Sequence, residues 1–256
     1  MRGVTGILCA AALAAGLAAA PALAQEEESD PIEGVNRKIF WFNDKVDVWV
    51  LEPVAKGWDF VAPDPVQKGV SNFFYNLRFP IYLVNDVLQG KPIDAGKDVG
   101  RFAVNTTVGV LGSMDPATGW GMPRSDEDFG QTLGVWGVPI GPYLVLPILG
   151  PSSPRDAAGL AADYAFSVTP FFVDQFILMG ARVVDAVNER SRYIEEVRDA
   201  KEAAFDYYSF VRNAYYQRRK ALVADERGVE GTDTTDLYTI EPAPPDDLYT
   251  PEPEEP

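Results

Sequence analysis

DEDFGQTLGVWGVPIGPYLVLPILGPSSPRDAAG, residues Asp126 to Gly159, carries no charge over the 23 residues from Thr132 to Pro154. Roughly 20 apolar residues suffice for a membrane-spanning helix, so length alone would permit one. Composition forbids it. Pro139, Pro142, Pro147 and Pro151 interrupt the run, and an interior proline costs a helix about 3 kcal/mol. Gly134, Gly137, Gly141 and Gly150 weaken it further. Irregular backbone in lipid would leave amide groups without partners. The stretch is therefore expected within protein, as a buried connection of extended segments or as the wall of an apolar passage. Gly134, Tyr143, Leu146 and Pro147 are its candidate passage residues. Asp126, Glu127 and Asp128 before it, and Arg155 and Asp156 after it, mark its return to polar surroundings. As a consecutive run the three acids diverge on a helix, which suits a solvated N-terminal turn stabilised by the helix dipole.

Outward from this centre the chain reads as helices. Ser153-Pro154 opens one that runs to about Ala165, and Pro170 begins a longer one. Phe171 to Val187 is apolar nearly all round, so protein or lipid should cover most of it. Asp174 and Arg182 argue against a spanning helix, since a charge at the bilayer centre costs roughly 2.5–3.5 kcal/mol. A further helix is expected over Asp199 to Ala224, with Ala204, Tyr208, Val211, Tyr215 and Leu222 on one side. Its Arg218, Arg219 and Lys220 suit a helix C-terminus.

Upstream, Gly109 to Gly121 (GVLGSMDPATGWG) is a loop by its glycines and Asp115-Pro116. Its Val110, Leu111, Met114 and Trp120 are apolar, which fits either a packed surface loop or a gate pivoting on Gly109 and Gly121. Pro92 opens the helix before it, which carries a stripe of small residues at Gly96, Gly100, Ala103 and Thr107 that permits close helix approach. Further back come a helix opened by Pro80 and closed by Gly90, a helix over Val66–Leu77, and a short segment restarted by Pro53. Asp30-Pro31 looks like a helix start. Ile32, Val35, Ile39, Phe42, Val46 and Trp49 then form one apolar face. Asn36 and Asn43, seven apart, share another face, either solvated or a polar line within a packed body.

Three regions follow. Residues 1–24 read as a cleavable secretory signal, with Arg2, an apolar run and Ala22-Leu23-Ala24 before Gln25. Residues 25–224 form the helical domain. Residues 225–256 form an acidic tail with eleven Asp or Glu, one Arg and six Pro, a composition expected to be disordered, in which DLYT recurs at Asp236 and Asp247. The sequence lacks histidine and its one cysteine is Cys9, which excludes histidine-based catalysis, His- or Cys-ligated metals and intrachain disulfides. Leu8 before Cys9 does not fit a lipidation site. The net charge of −16 disfavours nucleic acid. No Gly-x-Ser-x-Gly elbow, phosphate loop or dinucleotide fingerprint is present, so neither a catalytic site nor a cofactor is expected.

Several blocks resemble the MlaA/VacJ family of outer-membrane proteins: DPIEGVNR from Asp30, SNFF from Ser71, NDVLQG from Asn85, GRFAVNT from Gly100, and above all DEDFGQTLGVWG with GPYLVLP and GPSSPRD. The likeness spans roughly Asp30 to Tyr216. It implies an all-α, ring-like arrangement of short amphipathic helices with Pro/Gly-rich connections, embedded in the periplasmic leaflet of the outer membrane. It also implies an amphipathic channel that removes misplaced phospholipids, without making or breaking bonds. Implied partners are phospholipids, a trimeric porin and a periplasmic lipid carrier. Gly109–Gly121 matches the family's hinge beside the channel, which adds Gly109, Leu111, Met114 and Gly121, with Asn43, to the channel and gating candidates. The alternative is a non-catalytic envelope scaffold.

Overall fold

The computed structural model describes residues 30–226. The expected signal segment, Cys9 and nearly all of the acidic tail, including both DLYT repeats, lie outside them. The described chain is all-helical apart from one hairpin. Helix α1 (Glu33–Val46) passes through a π-helical turn (Asp47–Leu51) directly into α2 (Glu52–Val61). Pro53 stands in the first turn of α2 and opens it, while the chain runs on from the π turn without a break. Then follow α3 (Asp64–Leu77), α4 (Phe79–Gln89), α5 (Pro92–Thr107) and the single turn α6 (Pro116–Gly119). Helix α7 (Phe129–Val135) leads to strands β1 (Leu144–Leu146) and β2 (Gly150–Ser152), and then to α8 (Pro154–Phe166). The chain closes with α9 (Thr169–Phe172), α10 (Gln175–Ser191), α11 (Ile194–Ala203) and α12 (Tyr207–Glu226).

Several boundaries differ from expectation. Asp30 does not cap α1; it accepts from the Asn36 amide at 2.8 Å and from the Tyr208 hydroxyl. The helix of Phe171–Val187 is broken at Asp174, whose carboxylate takes the Phe176 N–H at 2.8 Å and starts α10 afresh. Asp206 does the same for α12 by accepting from Tyr208 N at 3.2 Å, so Asp199–Ala224 is not one helix. Gly90 closes α4 as expected, at φ +78°. The small-residue stripe of α5 makes no close helix pair: Gly96 has nothing within 4 Å of a built Cβ, and Ala103 and Thr107 are exposed.

The elements pack in a closed circuit. α2 lies on α10, α10 on α3, α3 on α4, α4 on α7, α7 on α12, α12 on β2, and β1 on α1. The apolar core sits where the ends of the chain meet, with Tyr143 and Val145 of the hairpin region against Tyr208, Val211, Ala214, Tyr215 and Tyr216 of α12. Two helices, α1 and α3, bury polar residues and expose apolar ones. On α1 the buried residue is Asn36, while Val35, Trp41 and Phe42 are exposed. On α3 the buried residues are Gln67, Ser71, Tyr75 and Asn76, while Val66, Phe73 and Leu77 face outward. Phe60, Phe172 and Phe176 are 92%, 81% and 80% exposed. None of the described helices is long and apolar enough to cross a membrane.

Candidate functional site

Beyond α5 the loop Gly109–Gly121 lies over a buried polar anchor. Arg101 of α5, 2% exposed, sends Nη2 to both carboxylate oxygens of Asp115 at 3.0 and 3.1 Å, and Nη1 to Thr118 at 3.1 Å. Asp115 also accepts from Asn105 at 3.1 Å and from Arg124 Nε at 2.9 Å. Burial raises the Asp115 carboxyl, but the Thr118, Arg124 and Arg101 donors outweigh it and hold the group well below the usual range. Asn105 further takes the Ala117 N–H at 3.2 Å, and its carbonyl takes Gly112 N–H at 2.8 Å. Breaking one partner of such a buried pair costs about 3–5 kcal/mol, so the middle of the loop, from Gly112 to Thr118, is fixed.

Ahead of that anchored part the backbone is strained. Val110 and Leu111 sit at φ +52° and +57°, a region that costs a non-glycine residue about 1–3 kcal/mol. Their side chains point outward, with Leu111 70% exposed and Met114 59% exposed, and Trp120 is exposed beside them. Gly109 is wedged, since an added Cβ would lie 2.4 Å from Asn105 O and 2.6 Å from Met114 O. Gly121 needs its glycine for φ +82°, in open space.

The acidic run at Asp126 diverges as a consecutive run must, but it is not a solvated turn. Asp128 caps α7 by accepting from Gln131 N at 2.8 Å, and Arg219 of α12 grips it at 2.6 and 2.9 Å. Burial pushes Asp128 up, yet Arg219 wins and brings it down to about 2. Asp126 pairs with Arg218 at 2.9 Å, and burial still lifts it to about 6. Glu127 takes Lys91 at 3.1 Å and Gln89 at 2.8 Å. Arg218 and Arg219, expected to serve the helix dipole, instead tie α12 to this run.

The uncharged stretch becomes an antiparallel hairpin, with Leu144 opposite Ser152 and Leu146 opposite Gly150. Its outer edge is paired by a helix. Asn36 Nδ2 donates to Tyr143 O at 2.9 Å and Asn36 Oδ1 accepts Val145 N at 3.0 Å. One heptad on, Asn43 Nδ2 donates to Leu146 O at 2.9 Å and Asn43 Oδ1 accepts Ile148 N at 2.8 Å. The two asparagines thus form the polar line within the body, not a solvated face. Because these side chains satisfy the backbone, the hairpin need not be enclosed: Trp136, Val138, Ile148 and Leu149 are exposed. The stretch is therefore half buried and half at the surface, which corrects the first of its two readings, a buried connection. Tyr143 is wholly buried, Leu146 is partly buried and Pro147 is exposed at the turn. Gly134 packs face to face, its built Cβ falling 2.7 Å from Arg155 Nη1 and from Val223.

Among the described residues no group of three His, Cys, Asp or Glu is placed to hold a metal ion. Missed from sequence alone were the Arg101–Asp115 anchor and the role of Arg219. Buried arginines and exposed ones read alike in a sequence, and only the GRFAVNT block hinted at the first.

The MlaA lipoprotein family model matches residues 28–222. The chain is 34% identical over 216 residues to the "Intermembrane phospholipid transport system lipoprotein MlaA" of Haemophilus influenzae, covering 81% of this chain and 84% of that one. It is 35% identical over 199 residues to the Escherichia coli protein of the same name, covering 76% and 78%. A solved structure described as the "Structural basis for maintenance of bacterial outer membrane lipid asymmetry" superimposes with a TM-score of 0.69 at 35% identity, covering 76% of this chain and 99% of the other.

Proposed function

Because the chain belongs to the MlaA lipoprotein family, we propose that it moves phospholipid at the outer membrane as a passive channel, drawing misplaced lipid from the outer leaflet for return to a periplasmic carrier. The observation that carries this reading is the inverted burial pattern. Polar side chains such as Asn36, Asn85, Arg101 and Asn188 fill the interior, while Trp49, Phe60, Ile93, Phe172 and Phe176 face out. Burying a fully exposed aromatic side chain in an apolar phase gains about 1.5–3 kcal/mol. An exterior of this kind, on helices too short to span, suits a body sunk in one leaflet beside a trimeric porin.

In this reading Leu111, Met114, Leu146 and Pro147 present the apolar wall of the passage, and Gly109 and Gly121 are the pivots of the loop beside it. Asn43, Gly134 and Tyr143 hold that wall in place. Lipid passes without covalent chemistry, so the protein needs neither catalytic group nor cofactor. Export uses the N-terminal signal, residues 25–224 are the working body, and the acidic tail is an appendage. Deleting the gene should raise surface-exposed phospholipid and detergent sensitivity, and restoring it should reverse both. Normal asymmetry in the deletion strain, with a freely soluble protein unassociated with porin, would favour an envelope scaffold instead.

A further inference from the structure

Asp86 on α4 is 1% exposed and Asp98 on α5 is 4% exposed. The two helices pack against one another, and each carboxyl acts directly on the other. Yet neither oxygen of Asp86, nor Oδ2 of Asp98, accepts a hydrogen bond from a donor among the described residues. Two ionised carboxylates are acceptors only, and side by side in a low-dielectric interior they repel. One proton between them converts the repulsion into a hydrogen bond.

The surroundings act on the pair with both signs. Lys91 attracts Asp86, but its ammonium engages Glu127 at 3.1 Å, and Glu127 adds negative charge beside both aspartates. Arg101 acts on Asp98, but its Nη groups serve Asp115, Thr118 and the Met122 carbonyl. The Ser125 hydroxyl favours the Asp98 carboxylate as a donor, and Tyr75 of α3 faces it as a neutral group. From α8, Asp163 takes the amide of Asn85, next to the pair, at 3.0 Å.

We propose that Asp86 and Asp98 hold a single proton between them at neutral pH and form a proton-dependent clamp joining α4 to α5, the helix that carries the Gly109–Gly121 loop. Burial and then mutual repulsion push Asp86 up to about 8, well above an unfolded aspartate near 4. The folded state therefore keeps a proton that the unfolded chain releases. The stabilisation is complete below about pH 4 and fades as pH rises through the folded value. Asp126 and Asp163, each raised to about 6, contribute in the lower part of that range, so the span above about pH 6 isolates the clamp.

The test is carboxyl NMR of the purified full chain in detergent, labelled at aspartate with carbon-13, beside urea unfolding across about pH 5–8. A carboxyl resonance titrating between about pH 6 and 8 is expected, and it should vanish in Asp86→Asn. In the same span the unfolding constant of the parent should climb by up to tenfold per pH unit, and that of Asp86→Asn should stay level. If Asp86→Asn fails to fold, Asp98→Asn decides, since losing the partner should move the Asp86 titration to lower pH. Aspartate carboxyls that all titrate below about pH 5 in the parent chain would overturn the clamp without recourse to any variant.

Discussion

Replacing Gly109 by alanine adds one methyl group at the most confined point of the loop. That Cβ would sit 2.4 Å from Asn105 O and 2.6 Å from Met114 O, against a floor of 3.0 Å for real contacts. Both obstacles are backbone atoms, so no rotamer change relieves them, and the Asn105 carbonyl must retreat by about 0.6 Å. That same carbonyl holds Gly112 N–H at 2.8 Å, so the retreat also loosens the loop. Overpacking of this kind costs about 1–3 kcal/mol, a population change of about 5- to 150-fold. Gly121→Ala meets open space and is charged only for its left-handed φ, about 1–2 kcal/mol. Gly109→Ala should therefore raise hydrogen exchange across residues 108–114 and complement a deletion strain poorly in a surface-phospholipid assay. Gly121→Ala should be milder in both. Full complementation by Gly109→Ala with unchanged exchange would refute the idea that this loop is held where its position matters.

Asn36→Ala removes both partners of two buried backbone groups of the hairpin, each worth about 1–3 kcal/mol when left unsatisfied. It should lower the melting temperature more than Asn43→Ala, whose site is less buried; equal effects would count against the edge-pairing account. Arg219→Met strands Asp128 and Asp156 and should cost about 3–5 kcal/mol in denaturant unfolding. Asp128 is lowered to about 2, so its contribution holds above the unfolded value near 4 and is lost as pH falls toward 2. The variant should lose this acid-side dependence, and retaining it would argue against the pairing. Phe172→Lys with Phe176→Lys alters only exposed side chains. Stability in detergent should stay within about 0.5 kcal/mol, while flotation with phospholipid vesicles should fall more than tenfold; undiminished flotation would remove these residues from the membrane-facing surface.

The helices themselves were legible where local chemistry dictates them. Ser153 caps α8 through Asp156 N, and Gly90 ends α4, as turn and cap rules require. What the sequence pattern left open was which way each apolar face points. Val35 and Phe42 of α1 and Val66, Phe73 and Leu77 of α3 are exposed, while Ile39, on the same α1 face, packs against the core. Periodicity gives the face and not its direction, because it cannot tell water from lipid as the outer medium. The interrupted helices at Asp174 and Asp206 were missed because an aspartate inside an apolar or charged run is a weak breaker until its carboxylate finds the N–H two residues on. For the candidate site, the glycines of the loop were visible, but the Arg101–Asp115 anchor was not. Fourteen positions separate those two residues, and only the tertiary turn of the chain brings them together.

The circuit of packed elements is sewn shut by partners far apart along the chain. Asn36 meets Tyr143 across 107 positions, Asp47 meets Arg190 across 143, and Asp30 meets Tyr208 across 178. Each such closure must overcome loop entropy before it is rewarded, which makes assembly slow. A nascent molecule that emerges without α12 lacks the surface on which its hairpin rests, and it displays its greasiest segments to water in the meantime. The body can thus lock only once its last helix has arrived.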